Sequence, residues 1–253
     1  MSNEVGHRFL AKLGKKRLRP GGVEATSWLL GQGEFTSESR VLEVACNMCT
    51  TSIELAQRYR CQITGVDLDS QALQKAESHI RAAGMESHIR VMRGNAMKLP
   101  FEDESFDIVI NEAMLTMLNR SAKEKAVAEY WRVLKPGGRL LTHDITLVKP
   151  DMASAIAELR QTIHVHVEPM PVGDWESLMR GAGFVEVDHR QGAMTLMNAR
   201  GMIRDEGLLG TLRIVRNGMK KDNRRQFRSM SRFFNTVGRD LNYIAVCSRK
   251  PNG

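Results

Sequence analysis

The chain has 253 residues, 42% hydrophobic and 26% charged, with 21 glycines and 7 prolines. That composition suits one sizeable globular domain and excludes a disordered, collagenous or disulfide-stapled chain. The charge is uneven: the whole nets +8, residues 1–19 hold six bases against one acid, residues 200–232 hold ten against three, and residues 20–199 net −6. An acidic body with basic ends permits nucleic-acid binding without arguing for it, because a polyanion-binding face is usually basic throughout. No run approaches the ~18 apolar residues of a membrane span. The first residues carry no export signal, and four cysteines are too few for a disulfide framework. These features predict a cytoplasmic protein with no membrane partner.

In chain order, Val5, Phe9, Leu10 and Leu13 predict a helix over 4–16. Arg19-Pro20-Gly21-Gly22 breaks it before a short helix over 23–30, so residues 1–30 read as an N-terminal helical cap. A regular alternation follows. Strands are expected at 41–45, 63–67, 89–92, 106–110 and 139–143, with helices over 51–59, 70–83 and 121–134. Ser121 and Glu124 have capping-box spacing, and Pro136-Gly137-Gly138 stops the last of these helices. Asp174 reads as the N-cap of another helix, followed by a strand at 184–187. Residues 197–235 read as a basic helical insertion before a last strand at 243–247. Strands alternating with helices of about ten residues argue for a doubly wound α/β fold, a mostly parallel sheet covered on both faces.

Several loop motifs fall in register with this order. They are Val41-Leu42-Glu43-Val44, Gly65-Val66-Asp67-Leu68-Asp69, Arg93-Gly94-Asn95-Ala96 running into Leu99-Pro100-Phe101, Ser105-Phe106-Asp107, and Arg132-Val133-Leu134-Lys135-Pro136-Gly137-Gly138. The stretch from Trp175 through Leu178-Met179 to Ala182-Gly183-Phe184 follows. Together they resemble class I S-adenosylmethionine-dependent methyltransferases of the small-molecule type, from about residue 20 to the C-terminus. The resemblance implies a Rossmann-like, seven-stranded, doubly wound sheet in a single domain. It also implies S-adenosyl-L-methionine as cofactor and methyl transfer to a small-molecule acceptor by in-line displacement.

The resemblance carries site residues with it. Asp67 is placed for the ribose hydroxyls, 20 residues after Asn47, a spacing the open-sheet binding rule favours. Leu68 follows it at the cofactor. Asn95 and Ala96 correspond to the adenine contacts, and Asn111 to the amino-acid portion. Glu43 matches the acidic residue beneath the first loop. In that loop Ala45, Asn47 and Cys49 replace glycines, although close approach and positive φ both favour glycine. The replacement leaves a cofactor-binding protein without turnover open beside the enzyme. Arg19-Pro20-Gly21-Gly22 reads equally as an entry lid or as a plain turn.

No fixed catalytic signature is expected, because this displacement chiefly needs positioning and the exclusion of water. The candidate bases are His143, at the carboxyl end of the fifth strand, and Glu112, just after the fourth; for His143 a buried, hydrogen-bonded histidine is the alternative. His164 and His166 offer a metal pair without a third ligand, so no metal site is assigned. Cys46-x-x-Cys49 permits a redox site but also fits the first loop. The bases of residues 200–232 make an RNA methyltransferase the second functional reading. Against it, only Phe227, Phe233 and Phe234 offer stacking surfaces. A solvated helix, with Leu208, Leu209, Leu212, Ile214, Val215, Met219 and Met230 turned inward, is the alternative.

Overall fold

A computed structural model describes residues 4–149, 152–236 and 240–253. Met1–Asn3, on which the expectation of no export signal partly rests, lie outside the described residues. The parallel strands are β1 (Arg40–Val44), β2 (Gln62–Asp67), β3 (Ile89–Arg93), β4 (Phe106–Glu112) and β5 (Leu134–Leu147). Beyond them lie β6 (Met170–Pro171), β7 (Val185–Ala193) and β8 (Leu241–Arg249). The sheet order is β3-β2-β1-β4-β5-β8-β7, with β8 antiparallel to both neighbours. The fold is the mixed α/β sheet expected, with one addition. The two-residue β6 pairs with β5 and makes eight strands, and so short a strand leaves no periodicity in the sequence.

The order reverses at β1, which pairs with β2 on one side and β4 on the other. That point is where an open α/β sheet receives ligands, beyond the carboxyl ends of its strands. The strands sit between two apolar layers, which explains their continuous apolar runs. On one face Leu42, Val109 and Leu140 pack beneath α5 (Arg120–Val133) and α7 (Val172–Gly181). On the other, Val41, Ile63 and Leu141 meet α2 (Gly22–Gly31), α3 (Thr50–Tyr59) and α4 (Ser70–Ala82). A third cluster joins α1 (Gly6–Leu13), α6 (Ala153–Ile163) and α9 (Arg224–Asn235) through Phe9, Leu10, Leu159 and Phe233. It also takes in Leu147 at the end of β5, so it caps the sheet on its ligand-binding side.

Local chemistry moved several boundaries. The α5 helix is capped by Asn119, whose Oδ1 accepts the Ala122 N–H at 2.9 Å; Glu124 instead pairs with Arg120. The α7 helix starts at Val172 after Pro171, leaving Asp174 inside its first turn, where an acid suits the helix dipole. The stretch 197–235 divides into α8 (Ala199–Gly218), kinked at Gly207, and α9. In α8, Leu208, Leu209 and Leu212 are 66%, 81% and 64% exposed, while Ile214 and Met230 are buried. The inward packing expected for the whole set therefore fails; near the end of α8, Gly218 lies against Phe227 of α9. His164 ends α6 in the left-handed region and His166 pairs with Glu168, so the two do not share a strand face. Among the described residues no metal-binding cluster occurs, and no helix is long and apolar enough to cross a membrane.

Candidate functional site

The loop from β1 to α3 is built on left-handed backbone. Ala45, Asn47 and Cys49 have φ of 58°, 47° and 55°, at the three positions where the resemblance places glycines. Asn is the non-glycine residue that tolerates this region best, and Ala adds only a methyl. Backbone bonds hold the loop in place: Cys46 N–H donates to Val66 O at 3.1 Å, and Asn47 N–H donates to Asp67 Oδ2 at 2.9 Å. Below, Glu43 accepts the Ser52 N–H at 3.1 Å and the Ser52 hydroxyl, tying β1 to the first turn of α3. Burial pushes the Glu43 carboxyl up to about 7, against the pull of Ser52.

The other cofactor candidates share this rim. Asp67 ends β2 half-buried, and its second oxygen accepts the Asp69 N–H at 2.9 Å. Two backbone donors leave lone pairs of that carboxylate free. Leu68 beside it is 59% exposed. Asn95 Oδ1 accepts the Met97 N–H at 3.0 Å, which shapes the turn after β3, and Ala96 is half-buried within it. Asn111 is fully buried between β1 and β4; its amide donates to Val44 O at 3.2 Å and its Oδ1 has no partner. Over this rim lies α1, anchored by Arg8 to Asp69 at 2.8 Å.

Cys46 and Cys49 are buried over Gly65, whose absent Cβ leaves room for both sulfurs. Hydrogen bonding to Cys49 and burial push the Cys46 thiol up, which opposes the thiolate a redox site needs.

One network was invisible in the sequence as a whole. Glu112, at the end of β4, accepts from Thr26 Oγ1 and Thr51 Oγ1, each at 2.9 Å, and faces the Arg19 guanidinium at 3.3 Å. Arg19 also donates to both threonines. His143 Nδ1 lies 3.0 Å from Glu112 Oε2, and Gly21 N–H donates to His143 Nε2 at 3.1 Å. The Gly21 bond makes Nε2 the acceptor, so Nδ1 carries the hydrogen given to Glu112. Burial raises the Glu112 pKa, but Arg19, His143 and Thr26 outweigh it and hold the carboxyl near 2. The Arg19–Gly22 turn is thus fastened to the sheet, and a Cβ on Gly21 would collide with Ala25 and Tyr243. Its members come from five separate elements, so no spacing announces them.

Beside the network lies a partly open cavity of about 80 Å³ under α1, α6 and α9. Its walls are mainly apolar, including Leu10, Leu159, Met194, Met230 and Phe234. Its polar side chains among the described residues are His7, Thr116 and Asp144; His143 does not line it. Asp144 was not singled out from the sequence. Its oxygens accept N–H groups of Thr116 at 3.0 Å and Ile145 at 2.9 Å, and burial pushes its pKa upward against those bonds. The aromatic residues of the basic segment, Phe227, Phe233 and Phe234, are all buried and offer no face to a base.

Residues 41–138 match a family model described as a methyltransferase domain. The chain is 56% identical over 98% of its length to an uncharacterized protein of Haemophilus influenzae, covering 99% of that protein. It is 31% identical over 48% of its length to a demethylmenaquinone methyltransferase of Lactiplantibacillus plantarum, spanning 53% of that enzyme. Its fold superposes with a TM-score of 0.78, at 17% identity and 98% coverage of both chains, on a putative sarcosine dimethylglycine methyltransferase of Galdieria sulphuraria. These matches agree with the strand order, the switch-point loop and the motifs along the rim. Residues 41–138 are thus similar to a methyltransferase domain, set within a fold shared with methyltransferases of known structure.

Proposed function

We propose that the protein transfers a methyl group from S-adenosylmethionine to a small, largely apolar acceptor held in the cavity under α1, α6 and α9. The residues present suit the cofactor. Three left-handed residues leave the first loop's backbone open to close approach. Asp67 keeps lone pairs for ribose hydroxyls, and Leu68 presents an uncovered apolar surface for the adenine, with Asn95 and Ala96 across from it. The unpartnered Oδ1 of Asn111 suits a donor on the amino-acid portion. Glu43 supports the loop from below.

When bound, the cofactor supplies an electrophilic methyl group. The chain's task is to position the acceptor and exclude water. The observation that carries this reading is adjacency: Pro20 and Ala113, next in sequence to Arg19 and Glu112, both line the cavity. The cavity therefore opens on the same strand ends as the cofactor rim. His143 is buried with both nitrogens engaged, which supports a positioning role; it holds the Arg19–Gly22 turn against Glu112.

Calorimetry with S-adenosylmethionine, followed by transfer of a labelled methyl group into cell extract, tests the reading. Label in a solvent-extractable small molecule is expected. Label in RNA would establish the nucleic-acid alternative, and binding without transfer to any component would establish a non-catalytic binder.

A further inference from the structure

The cavity has more chemistry than its apolar walls suggest. Thr116 and Asp144 meet on the sheet side, where the Thr116 N–H holds one carboxylate oxygen at 3.0 Å. The Thr116 hydroxyl is buried beside the Asp144 carboxylate, tempering the rise that burial gives its pKa, and makes no well-formed hydrogen bond. A buried hydroxyl without a well-formed bond costs about 1–3 kcal/mol, so it marks a place where a ligand group completes the bonding. Each Asp144 oxygen has accepted one backbone hydrogen and retains a further lone pair.

We propose that Thr116 and Asp144 form the acceptor subsite, which takes a neutral apolar molecule through one hydroxyl group, with Asp144 as the catalytic base. This rests on the reading of the cavity as the acceptor site. The ligand hydroxyl donates to Asp144 and accepts from Thr116, so all three groups are satisfied together. An anionic acceptor such as a carboxylate meets the Asp144 charge and is rejected.

In the transfer, the acceptor oxygen forms its bond to the methyl carbon with a lone pair. The carbon–sulfur bond breaks with its electrons left on sulfur, and the hydroxyl proton passes to Asp144. A carboxyl raised by burial is better matched to that proton than an exposed one. The titratable groups around Asp144 are His143 on its own strand, Lys123 and Tyr130 on α5, and His7 across the cavity. The Lys123 ammonium is held by the carbonyls of Leu118 and Glu168, so it does not neutralise Asp144 by direct pairing.

The test uses the full chain saturated with S-adenosylhomocysteine. Three single-ring probes are titrated by calorimetry: phenol, toluene and benzoate. Phenol is expected to bind at least about tenfold more tightly than toluene, as a hydrogen bond to a charged group implies, and benzoate most weakly. Asp144→Asn and Thr116→Val should each erode the phenol preference while leaving S-adenosylhomocysteine affinity unchanged. The assignment is overturned if benzoate binds best, if no probe binds, or if the preference survives both variants. Loss of S-adenosylhomocysteine binding by the unaltered protein would instead strike the cofactor reading.

Discussion

Glu112→Gln tests whether the buried network is held by charge or by shape. The carboxylate takes Thr26, Thr51, His143 and Arg19, and glutamine keeps its outline but cancels its charge and turns one acceptor into a donor. Arg19, 8% exposed, is then left without a counter-ion. Breaking a buried pair in this way costs about 3–5 kcal/mol. A carboxyl pKa lowered from 4.5 to about 2 corresponds to roughly 3 kcal/mol by linkage. The two routes agree. The sign follows from the depressed pKa: the stabilisation is complete above pH 4.5 and is lost as pH falls toward 2. Urea unfolding followed through Trp28, Trp131 and Trp175 should show the variant about 3 kcal/mol less stable at pH 7, with the gap narrowing to about half by pH 3. A gap under about 1 kcal/mol at pH 7, or one that does not narrow in acid, refutes the reasoning.

Glu43 behaves oppositely. Its pKa is raised to about 7, so the folded state keeps a proton that the unfolded chain releases above pH 4.5. Stability should fall between those values, by up to about 3 kcal/mol. Glu43→Gln, which imitates the protonated acid, should gain stability relative to the unaltered protein from pH 5 to pH 8; parallel curves would contradict the assignment. Gly22 sits at φ +56°, and its Cβ would strike the Asp205 carboxylate. Gly22→Ala should therefore lower stability by about 1–3 kcal/mol, whereas an unchanged melting temperature would mean that the turn relaxes freely. On α8, Leu209→Ser should fall within about 0.5 kcal/mol of the unaltered protein. Ile214→Ala, fully buried, should cost about 2–5 kcal/mol; equal costs would contradict the outward orientation of the leucines.

The strand and helix alternation through residue 143 was legible because buried parallel strands write themselves as apolar runs between caps and turns. Where the chain leaves that rhythm, legibility fell. The α6 helix passed unread, and α8 concealed that its leucines face outward, since periodicity identifies an apolar face without saying whether anything covers it. In the site, Asp67 stood out through its spacing from the first loop. The left-handed backbone expected at Ala45, Asn47 and Cys49 is present at all three. His143 and Asp144 show the limit. As neighbours on β5 they point to opposite faces, and only the packing of α1, α6 and α9 decides which face meets the cavity. The Arg19 network was seen in fragments, because a charge cluster assembled from five elements has no local sequence signature.

The central claim is that the cofactor's sugar is anchored at Asp67, and calorimetry with S-adenosylhomocysteine on the unaltered protein and on Asp67→Ala tests it most directly. Loss of hydrogen bonds to a charged group costs about 1.5–3 kcal/mol, so affinity should fall about 10- to 100-fold in a variant whose circular dichroism still shows the folded state. Equal affinity in the two proteins, or no binding to either, would contradict the account.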